Sequence, residues 1–134
     1  LNPGAFSNLL GEVGNVSIAL STIIENALGG MSADVLIGNN AGNMLDGGAG
    51  NDEVDGNGGS DVLVGGLGLD SLDGGEGGDI YVVSALSEKS AAEIADSGLS
   101  GADEVRFAAT SAAATLVLFA GDTGIERVVI GTGT

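Results

Sequence analysis

The sequence predicts an all-β fold, a right-handed parallel β-roll in which two nine-residue units make one coil. Three observations carry that prediction. Residues 29–82 are six consecutive nonapeptides without insertion or deletion: GGMSADVLI, GNNAGNMLD, GGAGNDEVD, GNGGSDVLV, GGLGLDSLD and GGEGGDIYV. Each unit divides into a Gly-rich half and a short half with one apolar residue at position 8: Leu36, Leu45, Val54, Leu63, Leu72 and Tyr81. A single inward residue per unit cannot build a core alone, so neighbouring units must stack.

The turn comes first in each unit. Positions 1, 2 and 4 are mostly Gly, as expected if the turn needs positive φ, where a Cβ would clash. Asn39 and Asn57 at position 2 are the next most tolerant type. Ser32 and Ala41 at position 4 depart from the pattern, so the first two turns are the weakest. Positions 7–9 then form a strand of three residues whose middle side chain points inward. Turns of units one, three and five stack on one edge of the roll, and those of two, four and six on the other.

Position 6 is Asp34, Asn43, Asp52, Asp61, Asp70 and Asp79. Stacked coils lie about 4.8 Å apart, and calcium–oxygen bonds run about 2.3–2.6 Å, so a Ca²⁺ fits between two stacked carboxylates. The expected pairs are Asp34/Asp52 and Asp52/Asp70 on one edge, and Asn43/Asp61 and Asp61/Asp79 on the other. Glu25, nine residues before Asp34, makes Glu25/Asn43 a fifth, for about four to five ions. Tight turns also aim main-chain carbonyls inward, which fills the coordination of a hard cation. The Asn43 pairs carry one charge fewer and should bind more weakly. Without a cation, each carboxylate pair repels by roughly 1–3 kcal/mol, and many glycines must be ordered. Folding and metal binding are therefore expected to be one event.

Composition agrees. Nineteen acidic residues face three basic ones, Lys89, Arg106 and Arg127, and residues 29–82 hold no base at all. A net charge of −16 leaves no surface for nucleic acid or anionic membrane and favours cations as partners. There is no Cys or His, which excludes disulfides, thiolate sites, the usual zinc sites and the Ser-His-Asp triad. No apolar run reaches the length of a membrane-spanning helix.

The flanks differ in texture. Residues 1–28 read as an entry or capping segment, with a turn at Asn2-Pro3-Gly4, a short strand over Val16 to Leu20, and Ile23 to Leu28 leading into the repeats. Residues 83–134 read as a strand-rich cap or spacer. Strands are expected at Glu104 to Phe107, Thr115 to Phe119 and Arg127 to Ile130; residues 85–96 read as one or two helical turns or a loop, with an irregular crossing favoured. Tyr81 is expected to close the end of the roll. The outward residues Met44, Asp46, Val62, Val64, Ile80 and Val82 form a face apolar enough to want a cover. The stretch Ile125 to Gly133 echoes Ile24 to Gly30, which suggests a further repeat block, with an Asp soon after Thr134, in a longer parent protein.

The nonapeptide GGxGxDxUx resembles that of the RTX (repeats-in-toxin) family, a known signature of calcium-binding parallel rolls. Residues 14–30, GNVSIALSTIIENALGG, look like the segment that enters the roll following the catalytic domain of serralysin-type metalloproteases. Residues 84–134 look like the spacer between repeat blocks of large RTX proteins. The resemblance implies a calcium-dependent module beside another domain of a secreted, extracellular protein, exported by a type I machine. It also maps ligands onto the position-6 side chains, onto Glu25, and onto turn carbonyls at positions 2 and 4. These are Gly30, Ser32, Asn39, Ala41, Gly48, Gly50, Asn57, Gly59, Gly66, Gly68, Gly75 and Gly77. The protease's HExxH helix has no counterpart in a chain without His, so no catalytic residue is expected. The alternative is an adhesin or polysaccharide-binding module, for which only four aromatic residues are present. A glycosidase pair such as Asp55 and Asp73 is explained more simply by the repeat itself, and no dinucleotide fingerprint, P-loop or EF-hand spacing occurs.

Overall fold

The computed structural model describes residues 15–17, 25–83, 93–109, 116, 118 and 123–132. Among them are ten strands: β1 (Asn15–Ser17), β2 (Asn26–Leu28), β3 (Val35–Ile37), β4 (Met44–Asp46), β5 (Glu53–Asp55), β6 (Val62–Val64), β7 (Ser71–Asp73), β8 (Ile80–Val83), β9 (Glu104–Ala109) and β10 (Arg127–Thr132). The fold is an all-β parallel roll. No helix among the described residues is long and apolar enough to cross a membrane.

Alternate units feed alternate sheets. One sheet has the order β1-β3-β5-β7 and the other β10-β9-β8-β6-β4-β2, with every pairing parallel. In the register Leu36↔Val54↔Leu72 and Ala27↔Leu45↔Leu63↔Tyr81, position 8 sits on position 8. Those residues are buried, with Leu36, Leu45, Leu63 and Tyr81 at 0% exposure. A coil is thus one residue deep from each sheet, and the core is a column that exists only because coils stack.

The coils continue beyond the nonapeptides. Ile94 is fully buried and bridges to Leu72, Ala95 bridges to Thr123, and β9 pairs with β8, which puts Val105 and Phe107 into the core. Two expectations are corrected here. Tyr81 does not close the roll, because Val105 of the next coil lies on it. The end of the 85–96 stretch is not an irregular crossing: Ile94 is a rung, because its apolar side chain completes the column above Leu72. Residues 84–92 lie outside the described residues.

The expected strands at Glu104 to Phe107 and Arg127 to Ile130 form, each longer than expected. Of the expected Val16 to Leu20 strand, Val16 and Ser17 are described; they lie in β1, which begins at Asn15 and pairs with β3. Only Leu116 and Leu118 of the Thr115 to Phe119 stretch are described, and neither is in a strand. On the face expected to want a cover, Val62, Val64, Ile80 and Val82 are half-buried, whereas full exposure would exclude a cover. Met44 on that face is exposed.

Candidate metal centres

Two kinds of glycine build the turns. At positions 2 and 4 of units three to six, Gly48, Gly50, Gly59, Gly66, Gly68, Gly75 and Gly77 all have positive φ, and Asn57 fills the remaining slot at φ 70°. The paired left-handed residues reverse the chain within one unit. Position 1 is different. None of its described glycines has positive φ, which corrects the expectation that all three positions are Gly for that reason. A Cβ on Gly47 would lie 2.6 Å from Asp52 Oδ2 and 2.7 Å from the carbonyl oxygen of Gly65. Position 1 is glycine because a carboxylate and a main-chain carbonyl of the next coil converge on the space a side chain would take.

The carboxylates form a ladder along each edge. The Asp34 N–H donates to Asp52 Oδ1 at 2.8 Å, and that of Asp52 to Asp70 Oδ1 at 2.9 Å. On the other edge the Asn43 N–H donates to Asp61 Oδ1 and that of Asp61 to Asp79 Oδ1, each at 2.7 Å. One oxygen of each carboxylate is therefore fixed by the coil below. The other, Oδ2 of Asp52, Asp61, Asp70 and Asp79, is buried without a hydrogen-bond partner. A buried carboxylate oxygen left unpaired costs free energy, and a hard cation coordinated by oxygen is the partner that suits it.

The first two units are built otherwise. Asp34 Oδ2 accepts the N–H of Gly30 in its own turn at 2.6 Å, and Asn43 Oδ1 accepts that of Asn39 at 2.8 Å. The Glu25 side chain is exposed, although its carbonyl accepts the N–H of Met44 in the expected register. All six position-6 residues are thus brought into stacked pairs, and among the described residues the later four each offer a fully buried oxygen without a hydrogen-bond partner. Turn carbonyls at position 2 mainly tie coils together: those of Gly30, Gly48 and Asn57 accept the N–H of Ala49, Leu67 and Glu76. The carbonyls of Gly50 and Gly59 instead face the position-4 glycines of the next coil, Gly68 and Gly77.

Burial and mutual charge act on these groups in one direction. Burial, outweighing the main-chain hydrogen bond, raises the pKa of Asp52, Asp70 and Asp79, and pushes Asp61 up to about 7. Neighbouring carboxylates add to this: Asp70 and Asp34 around Asp52, Asp79 beside Asp61, Asp96 beside Asp79. Such sites disfavour negative charge unless positive charge is supplied.

A third cluster lies past the repeats and was missed from sequence. Asp79, Asp96 and Asp103 are all buried, with carboxylate oxygens within 4.8 Å of one another. Asp103 continues the ladder by accepting the Asp79 N–H at 2.8 Å, and its own N–H donates to Glu126 Oε2. Burial pushes Asp103 up to about 6, with Asp96 contributing. The Tyr81 hydroxyl donates to Asp96 Oδ2 and accepts from the Gly74 N–H. The spacing from Asp79 to Asp103 is 24 residues where the repeats have 18. A reading keyed to nine-residue steps passes over it. The signal available was the segment SGLSGAD, with Gly101 at φ 103° standing over Gly77. The position-1 carbonyls of Gly65 and Gly74 were missed too, although glycine in all six units marks them.

Comparison with known proteins agrees with this geometry. The family model described as peptidase M10 serralysin C terminal matches residues 1–124. A metallopeptidase AprA of Pseudomonas marginalis is 56% identical over 45 residues, which are 34% of this chain and 9% of that protein. The serralysin of Photorhabdus laumondii is 58% identical over a stretch of the same length and coverage, and the metalloprotease AprA of Pseudomonas entomophila 53%. The matched stretch is thus a small part of each relative. No solved structure matches the chain.

Proposed function

The chain belongs to the peptidase M10 serralysin C-terminal family, and from that premise we propose that it is a calcium-dependent folding and stabilising module of a larger secreted protein, non-catalytic in itself. The observation that carries the reading is the set of four buried Oδ2 atoms without partners, on Asp52, Asp61, Asp70 and Asp79, of which those of Asp52 and Asp61 converge with the Gly65 and Gly74 carbonyls of the next coil. Their donors are all oxygen, which suits Ca²⁺ and not a soft metal.

The residues that would hold the ions are the stacked position-6 side chains with the carbonyls of their turns, and at the last coil Asp79, Asp96 and Asp103. A bound cation would supply charge neutralisation between coils. The chain's own part is to bring the oxygens into register through β-stacking and to fix one oxygen of each carboxylate with a main-chain N–H. Since the core column exists only when coils stack, neutralising the edges decides whether the column forms. Extracellular calcium modules bind at about 10⁻⁴–10⁻³ M. Such a module is loose in a low-calcium cytosol and folds after export, beside a neighbouring domain.

Calorimetric titration with calcium, followed in parallel by circular dichroism, tests this. The expected result is cooperative gain of β-structure with about four to five ions along the repeats and one more at the Asp79 cluster. A fully β-structured chain in excess chelator would overturn the reading.

A further inference from the structure

The outermost strand of the longer sheet keeps its apolar residues on the core side, and among the described residues no strand lies above them. β10 pairs with β9 over six residues, with Val128 on Val105 and Ile130 on Phe107. Val105 and Phe107 are core residues at 0% and 1% exposure. Paired residues of parallel neighbours point to the same face, so Val128 and Ile130 face the core column, yet they are 42% and 62% exposed. The strand is not frayed, since Arg127 binds Glu104 of β9 at 3.1 Å and Glu126 carries the carboxylate ladder into this coil.

The sequence around β10 indicates what belongs above it. Ile125-Glu126-Arg127-Val128-Val129 follows the order of Ile24-Glu25-Asn26-Ala27-Leu28, and each run then reaches glycine, directly at Gly29 and after Ile130 at Gly131. β2, within the second of these, lies at the opposite end of the same sheet. There it serves as the platform for the nonapeptides: β4 of the second unit lies directly on it, Leu45 over Ala27.

We propose that β10 is a second entry strand, whose exposed edge is a docking surface for a further Gly-rich, acidic nonapeptide coil laid parallel on it, with an apolar residue over Val128. This goes beyond calcium binding by the coils already present. The test is to append a second copy of residues 29–83 after Thr134 of the full chain and to follow thermal unfolding in calcium. The expected result is one cooperative transition, with a midpoint raised by about 4 °C or more, which Ile130→Lys splits into two. The proposal is overturned if the appended block stays unfolded or melts independently, or if Ile130→Lys leaves the single transition intact. Sedimentation of the unextended chain covers the other occupant: a calcium-dependent oligomer abolished by Ile130→Lys would assign this edge to a second copy instead. Failure of the calcium reading would appear separately, as unfolding of the unextended chain that ignores calcium.

Discussion

At the scale of single residues, two glycines in one turn make opposite predictions. Gly56 at position 1 has no room, since a Cβ would meet the Gly74 carbonyl oxygen at 2.7 Å and Asp61 Oδ2 closer still. Gly58 at position 3 has Glu76 O at 3.6 Å as its nearest contact and no positive φ. Gly56→Ala should cost roughly 1–3 kcal/mol and weaken calcium binding, whereas Gly58→Ala should stay within about 0.5 kcal/mol; thermal unfolding of the calcium-loaded variants checks both. The carboxylates make a second prediction. Burial raises Asp61 to about 7 and Asp103 to about 6, above the usual unfolded value near 4. The fold therefore holds protons that the unfolded chain releases. In chelator their contribution to stability is complete below about pH 4 and is lost as pH rises through about 6 to 7. Acidification from about pH 7.5 to 4.5 in chelator should increase the β signal, while in calcium the same change should shift the binding midpoint to higher concentration, because protons and Ca²⁺ compete. Loss of structure on mild acidification in chelator would contradict this.

At the scale of elements, the six units are not equal. Units three to six have two left-handed residues in every turn, and their position-3 residues bridge between coils, Ala49 with Leu67 and Gly58 with Glu76. Units one and two have no positive φ at Gly30, Ser32, Asn39 or Ala41, and their position-6 side chains are turned back onto their own loops. A Ser or Ala at position 4 resists left-handed backbone, so a change of two side chains alters the turn geometry. Hydrogen exchange at limiting calcium should open β3 and β4 before β6 and β8. The double variant Ser32→Gly, Ala41→Gly should let both turns adopt the geometry of the later units and lower the calcium midpoint; an unchanged midpoint would assign the difference between units to Asn43 instead. The direction of this inequality was legible from Ser32, Ala41 and Asn43. The means, a position-6 side chain occupied by its own turn, was not, because it depends on a backbone path that the residue types only permit.

At the scale of the whole molecule, a chain of net charge −16 stacks buried carboxylates along the two edges of a column one apolar residue wide, so folding is expected to depend on their neutralisation. Asp61→Asn removes a carboxylate shared by two pairs and should shift the calcium midpoint of the entire transition severalfold. Glu53→Gln, on the exposed outer face of β5, should leave it nearly unchanged; similar effects of the two would mean that net charge alone governs folding. The sequence by itself determined the nine-residue period, the alternation of units between two sheets, the inward column from Leu36 to Tyr81 and the stacked position-6 ladders. It could do so because a β-solenoid translates sequence period directly into spatial repeat: a residue's neighbour is the residue one coil later. Only the tertiary structure decided where the period changes to 24 and 23 residues. It brought Asp96 and Asp103 to Asp79, made Ile94 a rung, and showed that position 1 is glycine for space and not for φ. Position 1 depends on how closely successive coils approach; the other features arise from contacts between coils of unequal length, and a repeat read along the chain carries no information about how a longer coil folds back onto a shorter one.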